Sequence, residues 1–231
     1  SHSLALRTDG SVWAAGSGSA GQIGDGAATT RLSFVKIGSS QWTSIAAGGL
    51  HNVAVRADGT LWAWGSNTSG QVGDGSTTQR NSPVQIGTDS DWSFAGCGDS
   101  CSFAIKTTGT LWAWGLNTSG QLGDGSTTQR NSPVQVGTAS NWAKVSSGLA
   151  HTLAIQSNGT LWAWGSNASG KLGDGTGIQR NSPVQIGSGT DWTMVQALSQ
   201  HTIALRANGT AWVCGANNAS QLGTNDSASR S

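Results

Sequence analysis

The sequence contains no glutamate and no tyrosine, only four lysines, three phenylalanines and one methionine. All eleven of its acids are aspartate, and charged residues make up only 10% of the chain, against about 25% in ordinary soluble domains. Without Glu and with little Lys, the commonest helix formers are gone, so a helical domain is excluded. Paired-carboxylate chemistry loses its usual donors as well. The net charge of +1 supplies no basic stripe to displace counterions, and no nucleic acid is expected as a partner. No apolar run approaches the length of about 18 residues that a spanning helix needs. No signal peptide is seen. Because the chain starts at Ser1, without Met and inside a repeat, a leader removed earlier is compatible with that.

Glycine is abundant, at 35 of 231 residues, and twelve tryptophans accompany it. With many Thr and Val, this is the composition of short strands joined by tight turns. The dominant signal is a repeat of about 50 residues. LWAWGSNTSGQVGDGSTTQRNSPVQIG begins at Leu61 and recurs, with few changes, at Leu111 and Leu161. His51, His151 and His201 keep register, as do Trp42, Trp92, Trp142 and Trp192.

One unit reads as four strands. WTSIAAGG from Trp42 is strand A, and HNVAVR from His51, with its two-residue alternation, is strand B. An Asp58-Gly59 hairpin signal, with both turn residues at positive φ, leads to TLWAWG, strand C. A Gly-rich loop then leads to SPVQIG, strand D, with Pro83 at the first position of an edge strand. Strands B and C occur five times and strands A and D four times. The predicted fold is all-β: a β-propeller of four-stranded blades, four and a half of which are present. The whole chain, 1–231, is predicted to be one repeat domain, with units at about 1–41, 42–91, 92–141, 142–191 and 192–231.

The pattern G–x–x–H, a D/N-G turn, WAWGxNxxGQLGDG and SPVQ resembles the regulator of chromosome condensation repeat, in its prokaryotic tandem form. The resemblance covers essentially the whole chain and implies membership of a seven-bladed ring. Such a ring needs roughly 350 residues at this period. The preferred expectation is therefore an arc of a longer polypeptide. The alternative is five smaller blades that close with a deficient seam.

The repeated columns are weighed as scaffold first. The His column (His2, His51, His151, His201) lies one per blade, so its rings do not converge on a metal; each is expected to bond inside its own blade. Asp25, Asp74, Asp124 and Asp174 each supply one carboxylate per loop, which suits a turn better than calcium. Arg31, Arg80, Arg130 and Arg180 can pair with such an Asp or recognise a partner's anion. The candidate partner-binding strip is Gln79-Arg80-Asn81, with Gln129-Arg130-Asn131 and Gln179-Arg180-Asn181. The Trp columns are expected between blades, with a sugar-binding platform as the alternative. Cys97 and Cys101 form either a local disulfide or two buried thiols. Cys214 stands where the column has Trp164, and is expected to be a free core thiol. The repeated Asn67, Asn117 and Asn167 sequons belong to the loop signature. No catalytic constellation, P-loop or cofactor motif rises above the repeat.

The expected function is a non-enzymatic protein-binding or structural module, acting on a protein partner or by self-assembly, extracellular or cell-surface in a prokaryote, with no cofactor. A glycan-binding propeller is the alternative. Nucleotide exchange or chromatin binding, which the resemblance would imply, lacks a loop that breaks the repeat and a basic tail. Departures from the repeat remain as functional candidates: Cys97, Cys101, Cys214 and Phe34 in place of the strand-D proline.

Overall fold

A computed structural model describes residues 1–231 as eighteen β-strands in five antiparallel sheets, with a single 3-10 turn at Ala168–Gly170. The first sheet holds β1 (His2–Leu6), β2 (Val12–Gly16) and β3 (Arg31–Lys36). The second holds β4 (Trp42–Ala47), β5 (His51–Arg56), β6 (Leu61–Gly65) and β7 (Arg80–Gln85). The third, β8 (Trp92–Cys97) to β11 (Arg130–Gln135) by way of β9 (Cys101–Lys106) and β10 (Leu111–Gly115), repeats that order. So does the fourth: β12 (Trp142–Ser147), β13 (His151–Gln156), β14 (Leu161–Gly165) and β15 (Arg180–Gln185). The fifth has β16 (Trp192–Ala197), β17 (His201–Arg206) and β18 (Ala211–Gly215), and a lone bridge between Gly215 and Arg230 marks its fourth strand position.

Neighbouring sheets pack face to face through their first and second strands, β8 on β4 and β5 and β16 on β12 and β13, so the first strands line the axis and the fourth strands form the rim. Strong packing runs from each sheet to the next, and none joins the fifth to the first. The result is an arc of propeller blades.

Strand alternation builds the core between blades. On β5, Val53 and Val55 point forward to the third blade while Ala54 points back to the first. Leu61, Ala63, Val72 and Ile86 complete the forward face of the second blade. They meet Trp92, Ala95, Ala104 and Trp114 of the third. The same large-forward, small-plus-indole-backward scheme recurs at the other three junctions. The second strand is buried on both faces for this reason, so its alternation separates two apolar neighbours rather than core from water.

Two local readings are corrected. Only Gly59 of the hairpin turn has positive φ, at 80°, while Asp58 does not. Gly59 N donates to Arg56 O and Arg56 N to Thr60 O, a type I turn closed by a left-handed glycine. Asp58 instead caps the turn, its Oδ1 accepting from Thr60 N and Oγ1 at 3.0 and 2.6 Å. Pro83 lies within β7 rather than at its start. Pairing to β6 skips between Ala63 and Gly65, opposite the stretch from Arg80 to Val84, so the proline sits at a bulge of a rim strand, where a missing N–H costs nothing.

The inter-blade clasps and the loop face

The sheet register sorts the connections. One end of every blade carries the turn after the first strand and the long loop after the third. The other end carries the hairpin turns and the links between blades.

In the second to fifth blades the long loop is locked by an asparagine, Asn67, Asn117, Asn167 or Asn217; the first blade has Gly18 at that position. Asn117 is wholly buried. Its Oδ1 accepts from Leu122 N at 3.0 Å, and its Nδ2 reaches Asp124 Oδ1, Ser126 O and Thr128 O at 3.1 Å each. Asp124 Oδ2 takes Arg130 Nε at 2.7 Å. Burial opposes ionisation of Asp124, but the hydrogen bonds from Ser126 and the Arg130 guanidinium outweigh it and hold the carboxyl below its ordinary value. Asp74–Arg80, Asp174–Arg180 and Asp25–Arg31 make the same pair, and their carboxyls shift the same way. The Asp and Arg columns therefore fold the loop.

The Gln-Arg-Asn strip is divided by this arrangement. Asn81, Asn131 and Asn181 use their backbone carbonyls to accept from Gly26, Gly75 and Gly125 of the preceding blade, each at 2.9 Å. Their side-chain Oδ1 atoms accept from Gln79, Gln129 and Gln179 at 2.7, 2.8 and 2.8 Å. Arg80, Arg130 and Arg180 are half-exposed and paired, whereas Gln79, Gln129 and Gln179 are exposed beside Thr77-Thr78, Thr127-Thr128 and Gly177-Ile178. The three strips sit one per blade on the same end of the arc.

The His column works between blades and not inside one, contrary to the sequence expectation. His51 Nε2 lies 2.8 Å from Ser102 Oγ of the next blade, and Ser102 Oγ donates to Gln71 O at 2.6 Å. Ser102 has spent its proton on that carbonyl, so His51 must donate from Nε2. His151 repeats this with Thr202 and Lys171 O, and His2 with Asn52 and Gln22 O. Burial, with a minor push from neighbouring positive groups, lowers the pKa of His51 and His151 to about 3, so both rings are neutral. The same loop carbonyl receives a second donor: Trp64 Nε1 reaches Gln22 O at 3.2 Å, and Trp114 and Trp164 reach Gln71 O and Gln121 O at 2.9 Å. The sequence reading missed this clasp. Its signal was the small polar residue after each column position: Asn52, Ser102, Thr152 and Thr202.

The tryptophans are likewise committed between blades. Trp64, Trp114 and Trp164 are fully buried, and Trp42, Trp92, Trp142 and Trp192 nearly so. Arg56, Lys106 and Arg206 lie over Trp pairs of their own blades. Trp13, Trp62, Trp112 and Trp162 are half-buried, and Trp212 alone is largely exposed, at 56%.

Of the two alternatives for Cys97 and Cys101, the structure has the thiols and not the bridge. Cys97, Cys101 and Cys214 are free thiols. Cys97 pairs in register with Ser102, one residue past Cys101, so the two cysteines point to opposite faces of the blade. Cys97 Sγ meets Ala46 O of the second blade at 3.5 Å, and Cys101 Sγ meets Ser147 Oγ of the fourth at 3.4 Å. Burial raises both thiol pKa values, that of Cys101 to about 12, so neither is a ready nucleophile.

Four-stranded sheets arrayed about an axis, with polar columns turned inward to staple blade to blade, define a β-propeller. The model of the RCC1-like domain family matches residues 1–231, and the chain belongs to that family. Curated proteins give no match to the sequence. Among solved structures, human WBSCR16 aligns at 22% identity and a TM-score of 0.87, covering 99% of this chain and 63% of that one. Prp20p from Saccharomyces cerevisiae aligns at 21% and 0.87, covering 99% and 59%; that structure is described with its binding properties to Gsp1p and histones. Yeast RCC1 (Prp20) bound to Kap60 aligns at 20% and 0.86, covering 99% and 57%. The chain thus spans about three fifths of the length of these neighbours, and at such identities the likeness is one of fold.

Proposed function

We propose that this chain is a non-catalytic scaffold that binds a protein partner through the loop end of its blades, in a prokaryote and outside the cytoplasm. The observation that carries the reading is where the repeated polar groups go. His, Asp, Asn and most of the Arg donors are consumed inside and between blades, which leaves a face with Thr77-Thr78-Gln79 and Thr127-Thr128-Gln129 exposed. Regular loops on a rigid support suit a broad protein surface. Partner recognition then falls to the exposed glutamines and threonines, with Arg80, Arg130 and Arg180 adding the unpaired side of their guanidiniums. The bound states of the yeast neighbour, with Kap60 on RCC1 (Prp20), agree with a protein-binding use of this scaffold. Low charge and a Ser/Thr/Gly-rich surface support export or surface display.

A photo-crosslinking side chain at Gln129 tests the reading in the source cell, against the same group at Thr108 on the opposite end of the blade. Partner crosslinks from position 129 alone are expected. Equal labelling from both ends, or crosslinks from neither, overturns it. Acceleration of nucleotide release from a small GTPase would replace it with an exchange function. Protease digestion of the chain on intact cells reads the localisation.

A further inference from the structure

Between the fourth and fifth blades lies a partly open cavity of about 320 Å³; the first junction has a pocket of about 300 Å³ at the same place, over Gly24, Ile37, Trp42 and Arg56, but only the fourth junction's reaches inward to Leu153, Leu161, Leu172 and Cys214. Its walls include Leu153, Leu161, Leu172, Ile186, Trp192 and Cys214. At the equivalent point of the earlier junctions an indole fills the space. A Cβ placed on Gly73 or Gly123 would lie 2.5 or 2.7 Å from the Nε1 of Trp114 or Trp164. On Gly173 the nearest atom is Cys214 Sγ at 3.1 Å, followed by Ile186 Cγ2 at 3.8 Å. The polar anchor of the missing ring is still present. Gln71 O and Gln121 O each accept one indole N–H and one hydroxyl, whereas Lys171 O accepts the Thr202 hydroxyl at 2.7 Å and only a weak thiol contact from Cys214 at 3.4 Å.

We propose that this cavity is a binding site for a small indole-class heteroaromatic, seated where the column tryptophan sits in the other blades, with its ring N–H donated to Lys171 O. Three copies of the same site within the chain show the occupant's shape, orientation and hydrogen bond. The volume lies at the small end of ligand pockets. An apolar cavity left by a missing side chain takes up a matching ring, because the walls otherwise lose their dispersion contacts. Trp192 and Trp212 flank the mouth, with Arg206 4.9 and 5.4 Å from their ring centres.

Free indole titrated onto the chain by calorimetry is the test, with 1-methylindole as the probe that lacks the N–H. Saturable indole binding is expected, with 1-methylindole about fivefold weaker, the worth of one neutral hydrogen bond. Cys214→Trp supplies the ring from within and is expected to abolish binding. A second readout needs no variant: at alkaline pH, where the Cys214 thiol that burial raises to about 11 begins to ionise, indole should slow its iodoacetamide alkylation, identified by peptide mass spectrometry, and leave Cys97 unchanged. No saturable binding, equal binding of the two indoles, undiminished binding by folded Cys214→Trp, or binding that leaves Cys214 alkylation untouched each overturns the assignment.

Discussion

Removing one column indole should uncouple the arc at a single junction. Trp114 is fully buried among Val53, Val55, Leu61, Ala63, Val72 and Ile86 of the preceding blade, and it donates to Gln71 O at 2.9 Å. Trp114→Ala deletes the ring and leaves a cavity that two stiff sheets cannot close. The expected cost is about 4 kcal/mol, close to a thousandfold in the local opening equilibrium. Gln71 O keeps the Ser102 hydroxyl at 2.6 Å, so the orphaned carbonyl adds little. Stability in a repeat array is a sum of unit and interface terms, so the loss should stay at the junction of the second and third blades. Hydrogen exchange read by peptide mass spectrometry is the assay. Peptides over β5, β6 and β9 should exchange far faster in the variant, while β13 and β14 change little. Urea unfolding should broaden or split. Trp212→Ala is the control: with its ring largely exposed, it should cost less than about 1 kcal/mol. Equal effects of the two substitutions, or uniform loss of protection along the chain, would refute the inter-blade account.

Acid should destabilise the protein well above the carboxylate range. The native pKa of His51 and His151 is about 3, below the unfolded value of 6.5, so the unfolded state binds more protons between those limits. Stability from these two groups is full above pH 6.5 and falls as pH drops toward 3, by up to about 1.4 kcal/mol per pH unit for each ring; a His51→Gln, His151→Gln double variant with an unchanged slope would contradict this. Asn117→Ala should cost about 2–3 kcal/mol, because it strands Leu122 N and leaves the Asp124 loop without its buried anchor; unchanged exchange of the Leu122 amide would count against the role assigned to Asn117. Mild oxidation of native protein should leave Cys97 and Cys101 unlinked, since their side chains occupy opposite faces of one blade. An intact-mass loss of two hydrogens mapped to that pair would show the geometry to be otherwise.

Much of this was legible before any coordinates. The period placed all eighteen strands because Asp-Gly and Asn-Gly turns, alternating runs and the WAWG segment recur at fixed spacing. The Trp columns read correctly as inter-blade filling, since a ring repeated once per sheet has only the neighbouring sheet to pack against. The Asp and Arg columns read as turn and pairing residues, and each Asp indeed meets the Arg six positions on. The His column was misjudged because strand periodicity gives a side chain's face but not what stands opposite it. The Cys97–Cys101 alternatives stayed open for a related reason. The spacing permits a bridge, and only the register, Cys97 to Ser102, turns the two thiols apart. The Asp58 turn was misassigned because a D-G pair serves two hairpin geometries, and the backbone angle at Asp58 separates them.

The sequence by itself determined the unit, its four strands, the places where they turn and the family, because those follow from local chemistry repeated at a constant interval. The tertiary structure decided what happens where one unit meets the next: that a histidine of one blade, a hydroxyl or amide of the following one and a loop carbonyl form a single clasp, and that the Gln-Arg-Asn strip spends its Arg and Asn on the fold. It also gave the departure at Cys214 its meaning. In the sequence that position is a missing tryptophan. Between two stacked sheets too rigid to collapse, it is an empty space with the old ring's hydrogen-bond acceptor still in place.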